Sequence, residues 1–179
     1  MHRTAVEYSW RTMSNLVTDA TLEEIALAGG RILRQKGLML TVAESCTGGW
    51  IAQAITSIEG SSGWFERGFV TYTNISKREM LGVSATTLAR QGAVSEATVR
   101  AMAEGALAHS HADVALAVTG IAGPGGGSAE RPVGTVWIAW AGKHRDTIAS
   151  RYSFTGERAQ VRRQSVVAAL AGMIDFLGA

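Results

Sequence analysis

The stretch that most constrains this chain is Thr41 to Gly49, TVAESCTGG. The apolar run Leu38-Met39-Leu40-Thr41-Val42-Ala43 predicts a short buried strand. Trp50, Ile51, Ala54 and Ile55 then have the spacing of a helix. A strand that breaks at Ser-Cys-Thr-Gly-Gly and re-enters as a helix sets small side chains at a helix N-terminus. There the first backbone N–H groups have no partner inside the helix. The turn therefore reads in two ways. Ser45 or Thr47 caps the helix start, or the free N–H groups hold an anion or a developing oxyanion.

Strands and helices alternate around this turn. Residues 21–35 read as a helix opened by a Thr21/Glu24 capping box and ended by Gly37. A helix follows the turn to Ile58, then a loop at residues 59–63 and a strand over Trp64–Thr73. Asn74 is expected to cap a helix over Ile75–Leu81, closed by Gly82. Residues 86–92 read as a connection holding a short helical turn, and Ser95 opens a further helix carrying Val99, Met102, Ala103 and Ala106. Asp113–Val118 is a continuous apolar strand of the kind buried on both faces of a parallel sheet. After the glycine-rich run TGIAGPGGG come two strands, Val133–Trp140 and Thr147–Phe154, spaced for an antiparallel hairpin, and a last helix from about Gly156 to Leu177. This order gives an α/β sandwich with a mixed sheet.

With 179 residues, 46% hydrophobic and 18% charged, the chain suits one globular domain. A net charge of +2 without any Lys/Arg block argues against a nucleic-acid footprint. The single cysteine, Cys46, excludes an internal disulfide and a cysteine-based zinc site, and fits a reducing compartment. No apolar run is long enough to span a membrane, and residues 1–20 lack the apolar core of a signal peptide. They read as a poorly ordered N-terminal extension or a docking arm.

Three turns fall at the C-terminal ends of expected strands: Glu44–Gly49, Tyr72–Lys77 and Thr119–Ser128. Ligands of open α/β sheets bind along that edge. Ser45 is the best nucleophile candidate, with N–H donors available from Cys46, Thr47 and Gly48. No G-x-S-x-G pattern surrounds it, and none of His2, His109, His111 and His144 is well set as its base. Lys77, in the first turn of its helix, is either an exposed lysine or, if buried, a base of lowered pKa. Ser–Lys pairs are a known variant of triad chemistry. Tyr72 is either a core residue or a proton relay. Cys46 is either a small buried residue or a rival nucleophile. The glycine run is neither a Walker loop nor a dinucleotide fingerprint, but its backbone can approach a phosphate or ribose. Arg158 and Arg162, spaced to share a helix face, either hold a phosphate or are solvated.

The runs AESCTGG, FVTYTNISK, GAVSEATVRAMAEGA, AVTGIAGPGGG and PVGTVWIAW, in this order and spacing, resemble the CinA C-terminal domain family from Thr21 to the C-terminus. The resemblance implies a three-layer α/β/α sandwich with a mixed, mostly parallel central sheet, formed by residues 21–179 as a single domain. The molybdopterin-binding-like domain of longer CinA proteins has no counterpart, so a stand-alone form is expected. Characterised members are nicotinamide-nucleotide amidases. The implied reaction is hydrolysis of the carboxamide of nicotinamide mononucleotide to nicotinic acid mononucleotide and ammonia, in pyridine-nucleotide recycling.

The family's catalytic serine, tyrosine and lysine match Ser45, Tyr72 and Lys77. Its substrate-binding positions match Cys46, Thr47, Gly48 and Gly49, then Thr119, Gly120, Gly123 and Gly125, and best of the arginines Arg158, with Arg162 as its companion. Arg131 stands before Pro132 where lysine is more familiar. No cofactor, metal, nucleic acid or membrane is implied; a cytoplasmic homodimer or other homo-oligomer is expected. Two rival functions remain: a non-catalytic nucleotide-binding or competence-related adaptor, and an amidase or esterase of other specificity.

Overall fold

The computed structural model describes residues 19–178. The extension expected over residues 1–20 lies outside them as far as residue 18. In chain order the elements are α1 (Asp19–Lys36), β1 (Leu40–Glu44), α2 (Trp50–Thr56), β2 (Phe65–Val70), α3 (Asn74–Leu81), α4 (Ala85–Gln91), α5 (Glu96–Ala108), β3 (Val114–Gly120), β4 (Thr135–Gly142), β5 (Arg145–Ser153) and α6 (Arg158–Phe176). The strands join in the order β2-β1-β3-β4-β5. β1 pairs parallel with β2 and β3, whereas β4 is antiparallel to both its neighbours. β4 alone therefore runs against the rest, and the mixed, mostly parallel sheet expected from the family resemblance is the one observed.

Side-chain size along the inner strands sorts the helices into two layers. Successive side chains of a strand point to opposite faces. On one face lie Leu40 and Val42 of β1, Val114, Leu116 and Val118 of β3, and Val136, Ile138 and Trp140 of β4. They pack under α1, α2 and α6, through Leu22, Leu33, Ile51, Ile55, Val166, Leu170 and Met173. The Trp140 indole N–H donates to Ala169 O at 3.0 Å and ties β4 to α6. The opposite face is lined by Ala43, Ala115, Ala117, Ala139 and Ala141. Alanines let a helix lie close to a sheet, and α5 occupies that place with Val99, Met102, Ala103 and Ala106. Leu81 of α3 and Leu88 of α4 complete this layer.

Several boundaries differ from expectation. α1 begins at Asp19, so Thr21 lies inside the helix and not at its cap. β2 ends at Val70; Thr71 N–H still bonds Glu44 O at 2.8 Å, and the chain then leaves the sheet before Tyr72. Thr73, not Asn74, is the N-cap of α3. Its hydroxyl accepts from Ser76 N–H while Ser76 Oγ accepts from Thr73 N–H, closing a capping box. The segment at 86–92 is a full two-turn helix, α4, capped by Ser84.

The junction of α3 and α5 is the tightest in the alanine-faced layer. A Cβ on Gly105 would stand 2.0 Å from Leu81 O. Alanine at a helix interior gains roughly 1 kcal/mol over glycine in propensity, but overpacking of this kind costs about 1–3 kcal/mol or more. Gly105→Ala is therefore expected to lower the urea midpoint rather than raise it, and a denaturation curve checks the sign.

Candidate active site

The C-terminal ends of β1, β2 and β3 face one rim because these strands are parallel neighbours. β5 runs the same way and leads into α6, so Arg158 reaches that rim as well. The turns carrying Ser45, Tyr72, Thr119 and Arg158 thus converge on one edge of the sheet.

Ser45 sits on a sharp strand-to-helix turn. Its N–H donates to Val118 O at 3.0 Å, which holds it against the neighbouring strand. Gly48 and Gly49 follow with φ of 62° and 95°, two consecutive left-handed positions that side chains with a Cβ resist. Neither Ser45 nor Thr47 caps α2: Gly49 occupies the N-cap position and no side chain of the turn serves it. The buried Glu44 carboxylate does so from the strand end. Oε2 accepts from Gly49 N–H and Ile51 N–H at 3.0 Å each, and Oε1 from Ala52 N–H at 2.8 Å. An internal carboxylate therefore fills the helix N-terminus that the sequence offered to an anion. Gly49 is committed to Glu44, and Gly48 N–H to Ser45 O at 3.1 Å. Two donors of the turn bond to no other residue among those described: the N–H of Cys46, which lies against its own thiol, and the N–H of Thr47.

Lys77 is almost wholly buried, at 1% exposure. Its Nζ donates to Ser45 Oγ at 2.9 Å and to Thr71 O at 2.7 Å. Burial brings its pKa down from 10.5 to about 8. The exposed-lysine alternative does not hold. The capped start of α3 fixes Lys77 one turn into the helix, directed at the β1 turn.

A cleft of about 230 Å³ opens beside this pair, lined by Ser45, Cys46, Tyr72, Lys77, Ala93, Val94, Thr119, Gly120, Ala122 and Arg158. A second hollow of about 350 Å³ adjoins it, sharing Ala122 and Arg158 and adding Gly123, Pro124, Val133, Gly156 and Glu157. Tyr72 is not a core residue, being 57% exposed. Its hydroxyl accepts from Arg158 Nη2 at 2.8 Å, while Arg158 Nη1 donates to Gly123 O at 2.8 Å. The phenol is thus bonded to the arginine and not to Ser45 or Lys77. Thr119 Oγ1 donates to Ala93 O at 2.9 Å, so this hydroxyl braces the cleft wall. Gly120 is pressed onto β4, where a Cβ would stand 2.6 Å from Val136 Cγ2. Gly125 is exposed and lines neither hollow. Burial pushes the Cys46 thiol up to about 12, which leaves it neutral and a poor rival to Ser45.

Arg162 departs most from expectation. It turns away from the cleft: Nε donates to Cys46 O at 3.1 Å and Nη2 to Thr47 O at 2.8 Å. Three features were thus hidden in the sequence: Glu44 as the cap of α2, Thr73 as the cap of α3, and Arg162 as a brace of the turn. Glu44 carried a signal, as a lone acid ending an apolar strand just before a helix, and Thr73 another, in Ser76 three residues on; Arg162 carried none.

Comparison with known proteins meets this geometry. The CinA C-terminal domain model matches residues 22–177. The chain is 53% identical over 154 residues to the nicotinamide-nucleotide amidohydrolase PncC of Enterobacter agglomerans, covering 86% of this chain and 94% of that protein. It has the same identity over 154 residues with PncC of Escherichia coli strain K12, covering 86% and 93%. The crystal structure of the competence/damage inducible protein CihA from Agrobacterium tumefaciens superposes with a TM-score of 0.86 at 47% identity, covering 91% of this chain and 98% of that one.

Removing the Glu44 carboxylate orphans three buried or half-buried N–H groups at once. Hydrogen bonds to a charged group are worth about 1.5–3 kcal/mol each, though not additively. Glu44→Ala is expected to lose ~3 kcal/mol or more of stability by chemical denaturation, with Glu44→Gln falling between it and the parent.

Proposed function

The chain belongs to the CinA C-terminal domain family, and from that premise we propose that it hydrolyses the carboxamide of nicotinamide mononucleotide to nicotinic acid mononucleotide and ammonia. The observation that carries this reading is the buried 2.9 Å contact between Lys77 Nζ and Ser45 Oγ. Two relatives at 53% identity are named nicotinamide-nucleotide amidohydrolase, which supports the reading.

In the neutral form of Lys77 the donor and acceptor roles of that contact reverse. Ser45 O–H donates to the amine lone pair, while an amine hydrogen stays on Thr71 O. Ser45 Oγ attacks the carboxamide carbon as its proton passes to Lys77. The carbonyl π electrons move to oxygen, and the N–H groups of Cys46 and Thr47 hold the resulting oxyanion. Collapse of the tetrahedral adduct breaks the C–N bond, and Lys77 returns the proton to the departing nitrogen, releasing ammonia. Water, deprotonated by Lys77, then attacks the acyl carbon; the bond from that carbon to Ser45 Oγ breaks, and Lys77 returns the proton to Oγ, freeing Ser45. The cationic pyridinium ring of the nucleotide withdraws electrons from the carboxamide and makes its carbon a better electrophile than that of a neutral amide.

Arg158 is the cation at the junction of the two hollows. It holds the phosphate, and Tyr72 fixes the guanidinium for that task through its hydroxyl. The ribose phosphate lies toward the second hollow, along the Gly123 loop.

Two measurements test the proposal. Ammonia release from nicotinamide mononucleotide by the purified protein, without added metal, is expected to fall by about 10³-fold or more in Ser45→Ala. Retained turnover in that variant would overturn the mechanism. The second measurement is the pH profile. Lys77 acts as a base only when neutral, which at pH 7 is about a tenth of the population for a group titrating near 8. The kcat/KM for nicotinamide mononucleotide should therefore rise about tenfold per pH unit on the acid side and level off above about pH 8. A flat profile between pH 6 and 8 would remove Lys77 from the role.

A further inference from the structure

Arg162 lies one helical turn beyond Arg158 on α6, yet its guanidinium serves another purpose. Two donors on one edge of its fork, Nε and Nη2, reach two consecutive carbonyls, Cys46 O and Thr47 O. The charged group also lies 5.3 Å from the centre of the Trp50 ring, the first residue of α2. It therefore grips the turn at its carbonyl side and at its exit into the helix.

Peptide planarity carries the argument further. In a trans peptide the C=O of one residue and the N–H of the next point in opposite directions. With Cys46 O turned to Arg162, Thr47 N–H must point away from the guanidinium. With Thr47 O turned the same way, Gly48 N–H must also point away, and it does so, donating to Ser45 O at 3.1 Å. Thr47 N–H has no such partner among the described residues. A cation on the carbonyl end of this peptide also polarises it and makes the N–H a stronger donor.

We propose that Arg162 is a positioning residue for the reaction. By holding the Cys46 and Thr47 carbonyls it aims and polarises the Thr47 N–H that receives the oxyanion formed at Ser45. This rests on the amide-hydrolysis reading above. It assigns Arg162 no contact with substrate, so substrate affinity should be almost independent of it.

The test compares the parent with Arg162→Ala and Arg162→Lys. With nicotinamide mononucleotide, Arg162→Ala should lose about 10- to 100-fold in kcat, less than the 10²–10³ of deleting an oxyanion donor outright, with KM within about threefold of the parent. The acid limb of the pH profile should not move, because Arg162 does not touch Lys77. Arg162→Lys keeps a charge without the two-donor fork and should fall between the two. If Arg162→Ala does not fold, Arg162→Lys carries the test and must still lower kcat at least fivefold at unchanged KM.

A fluorophosphonate probe supplies a readout independent of the natural substrate, since phosphonylation of Ser45 also builds negative charge on an oxygen held by the turn. Its labelling rate should drop by a factor similar to the loss in kcat. Unchanged kcat and labelling, a loss that falls on KM, or a displaced acid limb would each overturn the proposal. Failure of the parent to release ammonia from nicotinamide mononucleotide would instead overturn the substrate assignment, and the labelling rates would still decide the role of Arg162.

Discussion

The constraint on which the site depends is the burial of one amine. Lys77 is taken out of water with a serine hydroxyl and a backbone carbonyl as its hydrogen-bond partners, and among the described residues no carboxylate joins it. Desolvation without a counter-charge is what lowers its pKa to about 8. The same burial opposes folding. The ammonium is disfavoured in the folded chain, so the penalty is fully present below about pH 8. It is relieved as pH rises from there toward the ordinary lysine value of 10.5. A shift of this size corresponds to roughly 3 kcal/mol, a substantial share of a small domain's stability. Groups perturbed in this way, buried without a counter-charge, cluster at functional sites.

Glu44 keeps this arrangement from being quenched. A carboxylate near Lys77 would hold the amine protonated, yet Glu44 belongs to the same turn as Ser45. The structure turns its oxygens onto three backbone N–H groups of α2. The acid thereby satisfies the positive end of a helix and stays out of hydrogen bonding with the amine. One consequence is that the helix terminus itself no longer offers an oxyanion site. The donors left over belong to the turn, whose carbonyls Arg162 holds from behind.

Much of this was legible in the sequence, for physical reasons that differ between elements. The apolar run at 113–118 and the strand-turn-helix at 38–55 announce themselves because buried parallel strands carry no polar face and the turn demands glycine. The positions of Ser45, Lys77 and Arg158 came from strand ends and from the family resemblance. What stayed hidden depends on direction rather than on residue type. Nothing local says that Glu44 points along α2, that Tyr72 points at Arg158, or that Arg162 points at two carbonyls far away in the chain. Thr73 and Asn74 are both good caps, and Ser76, three residues after Thr73, decided between them. The size alternation along β3, Val-Ala-Leu-Ala-Val, stood in plain view but reads as uniform apolar character unless the two faces are separated.

That alternation bears directly on the chemistry. Ser45 leads into α2, which packs on the large-residue face, whereas Lys77 sits on α3, which packs with α5 on the alanine face. The two groups come from opposite layers and meet across the edge of the sheet. Their separation is set by how far each layer stands off the strands. Larger residues at Ala115 or Ala117 would lift α5, and with it α3, which is held to α5 where Gly105 meets Leu81. A shift of that kind moves Nζ relative to an Oγ anchored on the other layer through Val118 O. A hydrogen bond weakens quickly with stretching and misalignment, and proton transfer requires one. The small residues on one face of the sheet therefore help to set the distance between Lys77 and Ser45, although none of them lines the cleft.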